Sequence, residues 1–198
     1  TSVGQADIPV SVKTRLGLDA IDLKGWIAPL LETKIAALTI HGRTMREMSK
    51  VPAHWDVIGQ VAEMAQGSGT VIIGNGDVVS REDGLNKAAH YGVDGIMIGR
   101  GIFHNPWFFN KENHQPTIKE RLDLLLRHTQ LFIEFWGKQK SFDTLKRFYK
   151  IYISGWEGAH DLRAEFMTTK NADQVIDIVS QYIQKTASKI KVRVGPNG

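Results

Sequence analysis

The chain contains no cysteine in its 198 residues. That excludes disulfides, thiolate-held metals and a cysteine nucleophile within this segment. It also has no apolar run of the roughly 18 residues a membrane-spanning helix requires. The opening stretch TSVGQADIPV has no basic region followed by an apolar one, so no secretory signal is expected and a cytoplasmic setting follows by default. An excess of one charge is nearly absent too: 25 Lys and Arg stand against 21 Asp and Glu, and the net surplus of +4 is too small by itself to imply a nucleic-acid partner. Apart from His41, the histidines are scattered without metal-ligand spacing, and neither a serine triad nor a carboxylate pair stands out.

What is present is a hydrophobic fraction of 42%, enough to bury a core in one large or two small domains. Up to about residue 105, four short runs rich in β-branched residues read as strands: IPVSVKTRLG (8–17), AALTIHGRT (36–44), TVIIGNGDV (70–78) and VDGIMIGRG (93–101). LDAIDLKGWIAPLLETK, HWDVIGQVAEMAQG and SREDGLNKAAHYG lie between them, each long enough for a helix, the last opening on Ser80 and Asp83 in capping-box spacing. Strand alternating with helix predicts a parallel α/β sheet carrying crossover helices. The short, nearly continuous apolar runs predict strands buried on both faces.

After NPWFF the pattern becomes purely helical. TIKERLDLLLRHTQLFIEFWG starts with Thr117 and Glu120 in capping-box spacing and stops at Gly137; further helices are expected near 141–154, 159–168 and 172–188, the last with Asn171 and Gln174 as its cap pair. A domain boundary is expected between Asn110 and Pro116, dividing the chain into 1–110 and 111–198. Charge divides at the same place. Residues 1–110 carry 10 Lys and Arg against 11 Asp and Glu, whereas residues 111–198 carry 15 against 10. The basic excess in the tail, with Lys138, Lys140, Lys146, Arg147 and Lys150, reads either as a solvated helical surface or as a face for an anionic ligand. Phe142, Phe148, Tyr149 and Tyr152 interleave with these charges at helical spacing, which favours core over base stacking.

Polar groups fall at the end of every strand: Lys13 and Arg15, then His41, then Asn75 and Asp77, then Arg100. Successive intervals of 28, 34 and 25 residues each correspond to one βα unit, so all of them reach the same rim. In a parallel α/β sheet that rim is where ligands bind. Taken singly, each residue reads as an ordinary turn or solvated side chain. In phase, they predict a common site. The glycines of GNGD and GRG suit the approach of backbone N–H groups to a phosphate, with a following helix N-terminus as support; a bare turn is the alternative.

The strand ends VKTR, IHGRT, IGNGD and GIMIGRG, in that order and followed by NPWFF and LKRFYKIYISGWEGAHDLRAEF, resemble the tRNA-dihydrouridine synthases over nearly the whole chain. The resemblance implies a TIM barrel that uses FMN to reduce uracil in tRNA, with NADPH as reductant. It makes Lys13 and His41 flavin contacts, Asn75, Gly76 and Asp77 one FMN loop, and Gly99 with Arg100 the other. A cation such as Lys13 beside the flavin pyrimidine stabilises the anion formed on reduction. Arg100 and the glycine amides would hold the phosphate. Arg43, Lys146 and Arg147 are the residues expected to face RNA.

The resemblance also has departures. Glu47 and Ser49 stand where the family usually has a glutamine and an aromatic residue. The four strands correspond to the family's fifth through eighth, and the general-acid cysteine belongs to its front half, so no catalytic acid is expected in this chain. The fold expected is the C-terminal half of a (β/α)8 barrel followed by an all-α domain, with an open half-barrel that pairs with the missing half or self-associates. Two other functions fit the same residues: a non-catalytic RNA-binding fragment, and another FMN- or phosphate-binding barrel oxidoreductase acting on a small metabolite.

Overall fold

The computed structural model describes residues 7–110 and 114–193, without the side chains of Lys138 and residues 187–193. Lys111 to Asn113 of the expected boundary, and the Lys138 side chain, therefore lie outside the described residues. The chain forms two compact units, Thr1–Phe109 and Asn110–Gly198.

The first unit is built on strands β1 (Ser11–Arg15), β2 (Ala37–His41), β3 (Val71–Asn75) and β4 (Gly95–Met97). All pair in parallel in the order β1-β2-β3-β4. Crossovers between parallel strands are right-handed, so an order that never reverses winds its helices onto one face. Helices α2 (Trp55–Met64) and α3 (Arg81–Tyr91) supply that layer. Leu38, Ile40 and Ile72 point into it, and with Trp55, Ile58 and Val61 they form a core that excludes water. The opposite face behaves differently from the expectation of two buried faces: Lys13 is exposed there and Val71 is 44% exposed. Among the described residues of this unit no helix layer covers it, because the winding never changes side.

Between β1 and β2 the expected helix is short and opens irregularly. Leu23–Ile27 is a π-helical turn capped by Asp22, whose carboxylate accepts from Gly25 N at 2.7 Å, and α1 (Ala28–Glu32) follows. Pro29 is the physical reason: it has no N–H for the Gly25 carbonyl, and its ring needs the wider turn. Ser80 caps α3 by accepting from Asp83 N, while the Asp83 carboxylate accepts from Val79 N rather than closing the box on Ser80.

The second unit is helical. Its longest well-packed element is α4 (Ile118–Trp136), opened by a complete capping box in which Thr117 and Glu120 satisfy each other's backbone N–H. Leu122, Leu125 and Phe132 of α4 pack against α7 (Ala159–Met167) and α8 (Ala172–Arg193) residues such as Leu162, Phe166, Val175 and Val179. Asn171 accepts from Gln174 N, and Gln174 reaches back to Lys170 N. The expected helix over 141–154 is instead two single turns, α5 (Asp143–Lys146) and α6 (Tyr149–Tyr152). Between them the chain tightens: Phe148 N and Ile151 N each bond the carbonyl three residues back. This winding sends Leu145, Tyr149, Tyr152 and Ile153 into one core, so Tyr149 and Tyr152 are buried and no stacking platform is formed by them.

Candidate functional site

The parallel register sets the site. Arg15 lies opposite His41, His41 opposite Asn75, and Asn75 opposite Met97, so four strands end in one row. Lys13 sits two residues earlier on the same face as Arg15. A cleft of about 1020 Å³ opens along this row and is lined by Lys13, His41, Asn75, Gly76, Asp77, Gly99 and Arg100, every cofactor-binding residue expected from the sequence. A smaller cavity of about 660 Å³ lies at the opposite rim, around Thr70, Val71 and Asp94, and includes none of them.

Arg15, expected at this rim with Lys13, also lines the cleft, and so do Met97 and His104, which were not expected there. Strand alternation with Lys13 was enough to find Arg15; Met97 required the register, because nothing in GIMIGRG distinguishes it. Arg15 donates to the Thr44 carbonyl at 2.8 Å and to that of Met48 at 3.3 Å, fastening the loop after β2 to the end of β1. In that loop Glu47, which replaces the usual glutamine, accepts from Thr44 N at 2.7 Å and contacts His54 Nε2 at 2.9 Å.

The GNGD turn is held by its polar side chains. Asn75 donates from Nδ2 to the Met97 carbonyl at 2.7 Å, tying β3 to β4. Asp77 adopts a left-handed conformation, φ +47°, and its Oδ2 accepts from Arg43 Nη2 and from Ala53 N. The Arg43 hydrogen bond, assisted by the Ala53 amide, holds the Asp77 carboxyl below the usual carboxylate range. Gly76, at φ +130°, has no room for a side chain, since a Cβ there would lie 2.7 Å from that of Ala53.

Arg43, expected to face RNA, is enclosed at the edge of the cleft. It is 3% exposed, and its guanidinium donates to the Val51 carbonyl (2.6 Å), His41 Nε2 (3.2 Å) and Asp77 (2.5 Å). The sequence places it on the rim; the fold turns it inward, where the Val51 carbonyl, His41 and Asp77 replace water as acceptors. Burial pushes the His41 imidazole down to about 4, with the positive charges of Arg15, Arg43 and Lys13 acting in the same direction and Asp77 partly opposing. His41 is therefore neutral at physiological pH.

The second glycine turn differs from the first. A Cβ on Gly99 would meet nothing within 4 Å, so the main chain there stands open to the cleft, whereas Gly101 is packed against Val78 and Phe108. The element that follows is a single 3₁₀ turn, Arg100–Phe103, rather than the helix expected after each glycine turn. Only GNGD is followed by a full helix. In the helical unit, Lys146 is largely covered and pairs with Asp143 at 2.6 Å, while the exposed Arg147 lies over the Phe148 ring. Lys146, Lys150, His160 and Arg163 surround a notch of about 300 Å³.

Relatives place this chain in a family. A 191-residue alignment is 42% identical to a probable tRNA-dihydrouridine synthase of Staphylococcus aureus and covers 94% of this chain. Over 182 residues, or 90% of the chain, identity is 44% to probable tRNA-dihydrouridine synthase 2 of Bacillus subtilis. A probable tRNA-dihydrouridine synthase of Staphylococcus epidermidis is 41% identical over 189 residues. The chain spans 58% of the length of the Staphylococcus aureus relative and 56% of the Bacillus subtilis one. The family model for dihydrouridine synthase matches residues 1–189, and the chain belongs to that family.

Proposed function

We propose that this chain forms the later half of an enzyme that reduces uridine to 5,6-dihydrouridine in tRNA, with FMN as its cofactor and NADPH as the reductant. The single observation carrying this reading is the meeting of Lys13, His41, Asn75 and Arg100 in one cleft at the strand ends of a member of the dihydrouridine synthase family. The sheet's unreversed order supports its assignment as strands five to eight of a TIM barrel, since a barrel carries all its helices outside. Residues 1–110 then form the cofactor-binding half and residues 111–198 a helical tRNA-binding domain. The working location is the cytoplasm, where tRNA is modified; among the described residues no helix is long and apolar enough to cross a membrane.

The donor set fits FMN. Arg100 supplies a guanidinium for the phosphate, and the open main chain at Gly99 leaves space for it to approach. Lys13 places a positive charge where it stabilises negative charge developing on a bound ligand. His41 contributes a neutral ring, and Asn75 with Asp77 keeps the GNGD turn in shape. When bound, FMN supplies the hydride transfer that no side chain here can perform. The acid that completes the reduction comes from outside this segment, which has no cysteine. The isolated chain is therefore inactive, and its open sheet face pairs with the rest of the barrel or with a second copy.

In the helical unit the notch formed by Lys146, Lys150, His160 and Arg163, together with the exposed Arg147, supports a phosphate-rich partner. Gripping tRNA offsets the roughly few kcal/mol needed to draw a base from its stack. The test is FMN titration of the purified chain by flavin fluorescence, together with tRNA binding at several salt concentrations. Saturable FMN binding that weakens in Lys13→Met and Arg100→Met, and tRNA affinity falling steeply with salt, are expected. FMN binding indifferent to both substitutions would remove the cofactor assignment. Binding of tRNA without any FMN binding would leave the RNA-binding fragment, a reading the absence of cysteine also favours for this chain alone.

A further inference from the structure

Arg43 has no free direction. Its guanidinium is enclosed, and its three recorded contacts reach three different segments: Val51 in the loop after β2, His41 at the end of β2, and Asp77 after β3. Its own carbonyl accepts from Leu16 N at 3.1 Å, which adds the end of β1. All the strand ends that form the left and centre of the cleft converge on this one residue.

The contact with His41 has a chemical consequence. Arginine has N–H donors and no acceptor. Nη1 lies 3.2 Å from His41 Nε2, and its N–H makes a hydrogen bond there only if Nε2 carries a lone pair. A neutral imidazole has one protonated nitrogen, so the proton must then be on Nδ1. Nδ1 has no hydrogen-bond partner among the described residues, in a ring that lines the cleft. The opposite edge is committed: a Cβ on Gly76 would lie 3.3 Å from His41 Cδ2, so the GNGD turn closes over the side where Arg43 binds.

We propose that Arg43 is a positioning residue that fixes the His41 tautomer, holding Nε2 as acceptor so that the cleft is offered an Nδ1–H donor, while its second arm holds Asp77 and the GNGD turn. The inference extends the cofactor reading by naming what makes His41 a donor toward the ligand, but its geometry stands without the ligand. The charges facing the ring agree with it. Arg15, Arg43 and Lys13 all disfavour the doubly protonated imidazolium, which leaves the ring a lone pair to accept with, and Asp77, the acid in the cluster, is occupied by Arg43 and Ala53 N. Without Arg43 the ring would be free to take the Nε2–H form, and its titration would rise from about 4 while burial, Arg15 and Lys13 still held it below the ordinary 6.5.

The experiment is long-range ¹H–¹⁵N NMR of the histidine rings in the ligand-free chain, with His41 assigned through His41→Asn. Wild type is expected to show an Nδ1–H, Nε2-unprotonated ring that remains neutral from pH 8 down to about 5. Arg43→Met is expected to shift the proton toward Nε2 and raise the titration midpoint toward 6.5. A wild-type ring with its proton on Nε2, or an Arg43→Met ring indistinguishable from wild type, overturns the proposal. Should the variant fail to fold, the wild-type tautomer alone decides. Because no FMN is present, this outcome is separate from that of the FMN titration.

Discussion

Trp55 and Gly74 are fitted to each other: a Cβ on residue 74 would lie 2.5 Å from the indole Cζ3 and 2.7 Å from Cη2. The six-membered ring reaches β3 because that position has no side chain, and the indole Nε1 donates to the Gly76 carbonyl at 2.9 Å. A residue on the first turn of α2 thus holds the strand end that carries GNGD. Gly74→Ala must displace an indole that is 5% exposed, and overpacking of this kind costs about 1–3 kcal/mol. A lower urea midpoint with an unchanged slope is the expected result; an unshifted midpoint would show that α2 can move away freely.

Asp77→Asn tests the charge while sparing the backbone, because asparagine tolerates the left-handed conformation found at this position. Arg43 would keep a neutral acceptor in place of a carboxylate. A loss of about 1–2 kcal/mol is expected, at the low end for a charged hydrogen bond because the carboxylate is 38% exposed. Chemical denaturation measures it, and stability equal to wild type would mean that the ion pair contributes nothing beyond its hydrogen bonds.

His41 makes stability depend on pH with a definite sign. Its folded value near 4 lies below its ordinary 6.5, so within that interval the unfolded chain binds a proton that the folded chain does not. Stability is greatest above about 6.5, declines as the pH falls toward about 4, and loses nothing further to this group below that. His128, lowered by burial in the helical unit, acts with the same sign. Subtracting the pH profile of His41→Asn isolates the first contribution: the variant should have the shallower slope between pH 6.5 and 4, and parallel profiles would sink the argument.

The helical unit has its own test. Thr117→Ala removes the side chain that accepts from Glu120 N and opens the capping box of α4. Loss of an N-cap costs about 1 kcal/mol. Hydrogen exchange should quicken at the first-turn amides of α4 and leave β2 and β3 unaffected; faster exchange in the strands would mean that the cap stabilises more than its own helix.

Much of this architecture is legible in consecutive residues. The runs around Val12, Ile40, Ile73 and Ile96 become the four strands, and the polar residue ending each one reaches the cleft because parallel strands present the same end to the same rim. Cap pairs such as Thr117 with Glu120 were equally legible, since both partners lie within one turn. Less legible were the π turn before α1, where Pro29 alters a register four residues earlier, and the pair of tight turns over 143–152, where the need to bury Leu145, Tyr149, Tyr152 and Ile153 overrides helical periodicity.

What the amino-acid order determined by itself was the alternation of elements, their ends, and the set of polar groups sharing a rim, all of which follow from local propensity and from the repeat of a βα unit. Only the tertiary structure decided what those groups do to one another. Arg43, expected to face RNA, is an enclosed donor to His41 and Asp77; Arg15, expected only as a rim group, fastens a loop; and within the first unit the described helices cover one sheet face. The physical reason is range: a hydrogen bond such as that between Arg43 and Asp77 joins residues 34 positions apart, and its existence depends on where two independent turns place their atoms.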